Sequence, residues 1–229
     1  MAKLDYHGHS TFGLTTDDGT RIVIDPFFGE NPWTDLDPTD VKVDFIFCTH
    51  GHFDHFVDAI PIAKNTGATL VGTFELVEYV QSQGVENAHP MHIGGGWDFP
   101  FGRVQMTTAM HGGRVHGEGA EGFTTNPAGF LFDLGPGKRL YHAGDTGLTM
   151  DMKLLKGKVD VALLPIGDNF TMGPEDAAIA VEFIEPAVAI PIHYGTWPYI
   201  EQNPERFRAL VGGRARVEIL EQGKGSYEF

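Results

Sequence analysis

The heptapeptide Thr49-His50-Gly51-His52-Phe53-Asp54-His55 decides the fold of this chain, because it places metal-binding side chains directly after a predicted strand. The preceding residues, 43–48, are rich in aromatic and β-branched side chains, which is typical of a buried strand. Residues two apart in an extended chain point the same way, so His50 and His52 can bind one ion together. The sequence therefore predicts a metal site where this strand ends.

The second half of the heptapeptide indicates a second metal position. Asp54 and His55 are neighbours, so they cannot share the direction of the first pair, and we expect them to face another ion. A solvated histidine-rich loop is the alternative. It is less favoured, because four ionisable groups crowded this closely would be costly in a core without a cation.

Length and composition set the class of protein. A chain of 229 residues fits a single domain over residues 1–229, although two small domains are also compatible with this length. Acidic residues outnumber basic ones by 31 to 16, which argues against broad binding to nucleic-acid phosphates. No apolar run approaches the roughly 20 residues of a membrane span, and the N-terminus lacks the apolar segment of a signal peptide. We expect a cytoplasmic protein that does not bind membranes.

The remaining sequence predicts short strands and helices in alternation. We expect strands over residues 3–8, 11–16, 20–25, 68–71, 98–109 (a hairpin), 128–134, 139–143, 159–165 and 187–192. Helices are expected over residues 56–65, 74–83, 174–184 and 204–211. Residues 216–220 and 225–229 are expected to close as an edge hairpin. This order suggests sheets that carry helices on their outer faces, with the site along one edge.

Three later residues are candidates to complete the two-ion shell. His111, Asp145 and His193 each follow a predicted strand, where a side chain can reach a site at the sheet edge. His116 lies close to His111 and is the alternative, but His111 is nearer to the strand end. Cys48, the single cysteine, ends a buried strand and is interpreted as a small core residue.

These ligands together resemble the metal-binding set of the metallo-β-lactamase superfamily. Four further segments resemble its small bacterial metal-dependent hydrolases, relatives of the ascorbate-6-phosphate lactonases: Gly8-His9-Ser10, residues 141–147, residues 165–173 and Pro191-Ile192-His193-Tyr194-Gly195-Thr196. The resemblance spans nearly the whole chain. It implies an α+β fold, a four-layer αββα sandwich with two sheets face to face.

The resemblance also implies a ligand assignment. His50, His52 and His111 would hold the first ion; Asp54, His55 and His193 would hold the second, with Asp145 bridging both. A carboxylate at the bridging position resembles the glyoxalase II-like and nuclease-like branches, whereas β-lactamases of this fold typically have a cysteine there. A β-lactamase activity is therefore disfavoured.

Other residues are candidates for substrate contact or for supporting the ligands. Asp25 ends a strand and would fix the metal-site loop by hydrogen bonds, and His142 either supports the bridging Asp145 or packs in the core. The candidate substrate-facing residues are His9, Asp168, Asn169, Thr171 and Tyr194. His89 and His92 are expected at the surface of a connecting stretch.

The chemistry expected from this set is metal-assisted hydrolysis. Imidazole and carboxylate ligands without thiolate suit two Zn²⁺ ions, and Mn²⁺ or Fe could occupy the same site. A hydroxide bridging the ions, oriented by Asp54, would attack a small-molecule lactone, ester or phosphoester. Asp54 and Asp145 are the candidate catalytic residues. A nuclease and a non-catalytic metal-bound module are the alternatives, and a homo-oligomer is compatible with the sequence.

Overall fold

The predicted strands assemble into two mixed sheets of seven strands each in the computed structural model, which describes residues 1–229. The first sheet has the order β14-β1-β2-β3-β4-β5-β6. Its strands are β1 (Lys3–Tyr6), β2 (Phe12–Thr15), β3 (Arg21–Ile24), β4 (Phe45–Phe47), β5 (Thr69–Thr73), β6 (Ala88–Met91) and β14 (Ser226–Glu228). The pairs from β3 to β6 are parallel and the others antiparallel.

The second sheet has the order β13-β12-β11-β10-β9-β8-β7. Its strands are β7 (Gly96–Phe99), β8 (Gly102–Thr108), β9 (Ala128–Asp133), β10 (Arg139–His142), β11 (Val161–Pro165), β12 (Val188–Ile192) and β13 (Arg216–Val217). Strands β10 to β13 run parallel. Because β8 and β10 are both antiparallel to β9, they run in the same direction. The carboxyl ends of β8, β10, β11 and β12 therefore lie along one edge.

The two sheets face each other across a core of 23 buried residues. Phe47 of the first sheet packs with its ring centroid 5.2 Å from Phe130 and 5.0 Å from Phe132 of the second. Alternation along β8 turns Val104 and Met106 inward, while Arg103 and Gln105 remain exposed. Burial of this shared apolar layer holds the sheets together.

Helices cover the outer faces of both sheets. On the first sheet lie α1 (Phe53–Phe56), α2 (Ala59–Thr66) and α3 (Phe74–Ser82), whose apolar sides belong to a separate cluster of 17 buried residues. On the second lie α4 (Pro174–Ile184) and α5 (Pro204–Val211), within a cluster of 20. The predicted four-layer αββα sandwich is therefore confirmed. No helix has the length and apolar character needed to cross a membrane.

The expected edge hairpin near the C-terminus is wrong. Strand β13 pairs in parallel with β12 in the second sheet, whereas β14 pairs with β1 in the first. The physical reason is burial. Tyr227 and Phe229 pack against the core between the sheets, and β14 covers an edge of β1 that a local hairpin would leave unpaired. The connecting segment expected around His89 also contains a strand, β6.

Candidate metal centre

The predicted metal ligands meet at the edge where the strands of both sheets end. His50 and His52 follow β4, and the next turn forms α1, which carries Asp54 and His55. From the second sheet come the side chains that follow β8, β10 and β12, namely His111, Asp145 and His193. Seven residues that span more than half of the chain therefore converge on one site.

The first group contains His50, His52 and His111, and one ring nitrogen from each lies within 4.8 Å of those of the other two. His52 Nδ1 and His111 Nε2 are 3.3 Å apart. His116, the alternative to His111, is exposed and does not belong to the group. The structure thus places His111, rather than His116, beside the first histidine pair.

The second group contains Asp54, His55 and His193, and it also includes His9. Asp54 Oδ2 lies 3.5 Å from His55 Nε2 and 3.7 Å from His193 Nε2. His9 Nε2 lies 2.9 Å from the same oxygen. All four residues are buried, so their charges and lone pairs have little access to water.

Asp145 lies between the two groups. Its Oδ2 is 3.4 Å from His111 Nε2 of the first group and 3.0 Å from His193 Nε2 of the second. Its Oδ1 is 3.3 Å from His55 Nε2. A single carboxylate therefore contacts ring nitrogens from both sides of the site.

The unpaired atoms of the cluster indicate by themselves that it can bind metal ions. The buried atoms His50 Nε2, His55 Nε2, His193 Nε2 and Asp145 Oδ1 have no hydrogen-bond partner in the protein. Unpaired buried polar atoms cost free energy. Two nitrogens bound at 2.0–2.1 Å to one tetrahedral zinc lie about 3.4 Å apart, close to the separation of His52 Nδ1 and His111 Nε2. The donor set and its spacing therefore suit divalent ions.

Two glycines allow the ligand loops to pack this closely. A Cβ on Gly51, between His50 and His52, would lie 2.9 Å from Val115 Cα. Gly144, which precedes Asp145, has φ +63° and would place a Cβ 2.7 Å from the carbonyl oxygen of Ala128. A larger residue at either position would displace a ligand.

Asp25 ties two ligand segments to the end of β3. Its Oδ1 accepts a hydrogen bond from the Thr49 backbone N–H (2.7 Å). Its Oδ2 accepts from Thr49 Oγ1 (2.7 Å) and from His55 Nδ1 (2.8 Å). A carboxylate only accepts, so His55 carries a proton on Nδ1 and can offer the Nε2 lone pair to an ion.

We predict that Asp25→Asn weakens metal binding by about 10- to 100-fold, the usual effect of losing a partner that orients a ligand. Asparagine keeps the size and tolerates the left-handed backbone at this position, φ 49°. It has one acceptor oxygen, however, so one of the three donors loses its partner. Competition with a chelator of known affinity measures the change. Asp44→Asn, at an exposed carboxylate that binds Arg21, is the control; equal affinities for both variants would contradict the prediction.

Three residues at the site have strained backbones. His9, Asp25 and His193 have φ angles of 57°, 49° and 54°, in the left-handed region that non-glycine residues seldom adopt. Such strain persists only where the surroundings hold it, and it concentrates at functional sites. In this backbone conformation the three side chains point from their loops into the site.

Burial and neighbouring carboxylates set the protonation of the histidines in the absence of an ion. Burial, with help from His111, lowers the pKa of His52 to about 4, so this ring is neutral at pH 7 and able to bind metal. Burial also opposes charge on His193, but Asp145 outweighs it and the pKa of His193 is raised to about 9. An ion that binds His193 must therefore displace a proton.

Comparison with known proteins identifies the family. The sequence profile of the Beta-lactamase superfamily domain matches residues 20–194. A UPF0173 metal-dependent hydrolase of Staphylococcus carnosus is 48% identical over 227 residues, covering 97% of each chain. Another from Geobacillus sp. is 50% identical and covers 97% of this chain and 98% of the relative. This chain is a metal-dependent hydrolase of the metallo-β-lactamase superfamily.

A solved structure shows the same architecture as this hydrolase. Igni18, a metallo hydrolase from the archaeon Ignicoccus hospitalis, superposes with a TM-score of 0.86 at 33% identity, covering 100% of this chain and 99% of the other. The family expected from the sequence is thus confirmed. Its expected relation to the ascorbate-6-phosphate lactonases stays a prediction.

The metal centre of the hydrolase opens into a cavity of about 360 Å³. Besides five of the predicted ligands, the cavity is lined by four residues that sequence reasoning did not assign to substrate: Phe53, His116, Phe170 and Trp197. The sequence feature that could have identified them is their position, since each lies in or next to a segment that contains a predicted site residue. A second cavity of about 320 Å³, on the outer face of β8, contains none of the clustered ligands.

Several candidate substrate-facing residues lie elsewhere. Tyr194 is buried in the outer core beneath the helices of the second sheet. Asp168 and Asn169 are exposed in a turn, and Thr171 donates a hydrogen bond to the Met172 carbonyl. None of these four residues lines the cavity. The loop instead presents Phe170 to it.

His142 stays outside the metal cluster. Its Nε2 donates to the Ser10 carbonyl (3.0 Å), and its Nδ1 accepts from the Gly144 backbone N–H (3.1 Å). The ring is fully buried. It therefore holds the backbone just before Asp145, and connects that strand end to the loop that contains His9.

His9 lies at the centre of the second group rather than at the substrate-facing rim. Because Asp54 accepts, His9 donates from Nε2, and its Nδ1 accepts from Thr196 Oγ1 (2.8 Å). The His9 carbonyl accepts a hydrogen bond from the His193 N–H (2.8 Å). The ring and backbone of His9 thus hold two of the second group's residues in position.

Proposed function

We propose that this hydrolase carries two divalent ions, with Zn²⁺ as the expected metal, and cleaves a small-molecule lactone, ester or phosphoester. The observation that carries the proposal is the position of Asp145, whose one carboxylate contacts ring nitrogens of both ligand groups. Such a residue suits two ions held side by side. A site for a single ion would leave one group of buried donors unsatisfied.

The seven expected ligands would have distinct roles. His50, His52 and His111 would hold one ion, Asp54, His55 and His193 the other, and Asp145 both. When bound, the two ions would supply a hydroxide at neutral pH and stabilise the charge that develops during attack. Asp54 Oδ2 faces the histidines of its group, and Asp54 would orient the attacking water through its other carboxylate oxygen.

The donor set supports zinc. Imidazole and carboxylate are zinc ligands, and Mn²⁺ or Fe also accept this set. Cys48, the single thiol, is fully buried in the outer core of the first sheet and belongs to neither ligand group. We also propose the cytoplasmic location expected from the sequence, where this thiol would stay reduced.

A small-molecule partner fits better than a nucleic acid. No Lys or Arg lines the cavity, and the chain has a formal net charge of −15. Nucleases bind the phosphate backbone through basic side chains around the site. A non-catalytic module is disfavoured too, because all seven expected ligands are present and grouped.

The test combines elemental analysis with a substrate panel. We expect about two ions per chain in the purified protein, and hydrolysis of lactones, esters or phosphodiesters that stops after chelation and returns when metal is restored. Structured RNA should remain uncut under the same conditions. A single ion per chain at full activity would refute the two-ion centre, and efficient cleavage of RNA would favour the nuclease.

A further inference from the structure

Three aromatic side chains surround the metal cavity without belonging to the hydrophobic core. Phe53 begins α1, Phe170 lies in the turn after β11, and Trp197 follows β12. None of them is part of the three buried clusters. Single exposed apolar residues are common, but three from distant segments that meet at one cavity indicate a surface for a ligand.

Contacts with neighbouring rings hold Phe53 and Trp197 in place, whereas Phe170 is more exposed. The rings of Phe53 and Trp197 are nearly parallel, 24° apart, with centroids separated by 6.2 Å. Trp197 also packs on His9 at 4.9 Å. Phe170 is 50% exposed and packs edge-on against the exposed Tyr199 at 6.4 Å. The cavity therefore has fixed apolar walls beside the ions' site and a more exposed ring at its mouth.

Away from the ions, the cavity has one side chain that can bond to a charged group, the imidazole of His116. The only carboxylates of the cavity, Asp54 and Asp145, face the histidines, and the cavity has no Lys or Arg. A phosphate or carboxylate on the distal part of a substrate would lose water without gaining a Lys or Arg partner. A cationic tail would be repelled by two divalent ions in the same cavity.

We propose that the substrate is an uncharged ester or lactone that carries an aromatic ring, which packs against Trp197 and Phe170 while the ester group lies at the ions. This rests on the hydrolase function proposed above and narrows its substrate class. Aromatic rings pack favourably at centroid distances of 4.5–7 Å, beyond the gain from burial alone. The cavity volume of about 360 Å³ suits such a small molecule.

Four acetate esters with one reacting group test the substrate class. They are propyl acetate and its derivatives with a phenyl, phosphonate or trimethylammonium group at the end of the propyl chain. With metal-loaded protein, we expect kcat/KM for the phenyl ester to exceed each of the others by at least about tenfold. Equal values, or preference for the phosphonate or the ammonium ester, would overturn the inference while the hydrolase function stood.

A binding measurement separates this inference from catalysis. Butyrohydroxamate and 4-phenylbutyrohydroxamate share a metal-chelating group and differ only in the ring. Calorimetry with metal-loaded protein should show at least about tenfold tighter binding of the phenyl compound. This result would support the aromatic site even if all four esters were inert, an outcome that would count against ester hydrolysis alone. Equal affinities, or no binding of either, would overturn the inference.

Substitutions locate the ring. Phe170→Ala and Trp197→Ala should each reduce the phenyl preference, in kcat/KM and in hydroxamate affinity, to within about threefold. Phe170 is half exposed and outside the core, so its loss should not prevent folding. Phe74→Ala is the matched control, because Phe74 is 45% exposed at the start of α3 and stacks on His92 away from the cavity. An undiminished preference in both cavity variants would contradict the assignment.

Discussion

Asp145→Asn should lower kcat/KM by at least about 10³-fold, or about 4 kcal/mol, and reduce the bound metal to one ion per chain or fewer. Asparagine keeps the size of the side chain and loses its charge. Because Asp145 contacts His55, His111 and His193, the substitution affects both ligand groups at once. Substitution of a residue that binds only one ion would remove that ion and leave the other in place.

The metal content, by elemental analysis, and the hydrolysis rate are measured on the same preparation of the Asp145→Asn variant. Asp98→Asn is the control, since the Asp98 side chain is 80% exposed on β7 and pairs with Arg103. Circular dichroism establishes that the Asp145 variant folds. Two ions retained with an undiminished rate would exclude Asp145 as a bridging ligand.

The convergence of the expected ligands could be predicted because buried strands and polar strand ends differ sharply in sequence. Residues 43–48 and 187–192 are largely apolar runs that end directly before expected ligands, and parallel strands in one sheet bring their carboxyl ends to one edge. A His or Asp at such an end is therefore placed by topology. The structure brings together all seven expected ligands on this basis.

The walls of the cavity could not be predicted in the same way. Phe53, Phe170 and Trp197 belong to loops or loop–helix junctions, and an aromatic residue there has the same sequence signal as one that closes the core. Tyr194 differs from its expected position in the opposite direction. It follows His193 directly, yet it points into the outer core while His193 points to the site. Adjacent side chains point apart, which sequence proximity ignores.

The predicted pairing of the C-terminal strands was wrong for a related reason. Residues 216–220 and 225–229 are close in sequence, so a hairpin was the local solution. Pairing between distant strands is decided by which edges are open and which apolar faces need cover. Here β13 covers the edge of β12 and β14 covers the edge of β1, and these two edges lie in different sheets.

Removing the metal should make folding stability fall as pH rises from about 6.5 to 9. In the protein without ions, Asp145 raises the pKa of His193 to about 9 despite burial. A histidine whose pKa is higher in the folded than in the unfolded protein stabilises the fold fully below its unfolded-state pKa, near 6.5. This stabilisation is lost as the pH rises through its folded-state pKa. The depressed pKa of Asp145 belongs to the same interaction and acts only in acid, so it is not counted twice.

The expected loss is about 3 kcal/mol for a shift of this size, which corresponds to roughly 10 °C in Tm for a protein of 150–250 residues. The metal-loaded protein should not show it, because a ligand histidine is already deprotonated. The Tm difference between loaded and chelated protein should therefore widen with pH. Scanning calorimetry across this range measures it. His193→Gln should reduce the slope of the chelated protein. A part of the slope should remain, because despite burial Asp145, Asp54 and Asp25 also raise the pKa of His55. His142→Gln, at a buried histidine whose pKa is lowered by burial, should leave the slope unchanged. A chelated protein whose Tm stays constant or rises over this range would show that Asp145 does not hold a proton on His193, and hence that metal entry need not displace one.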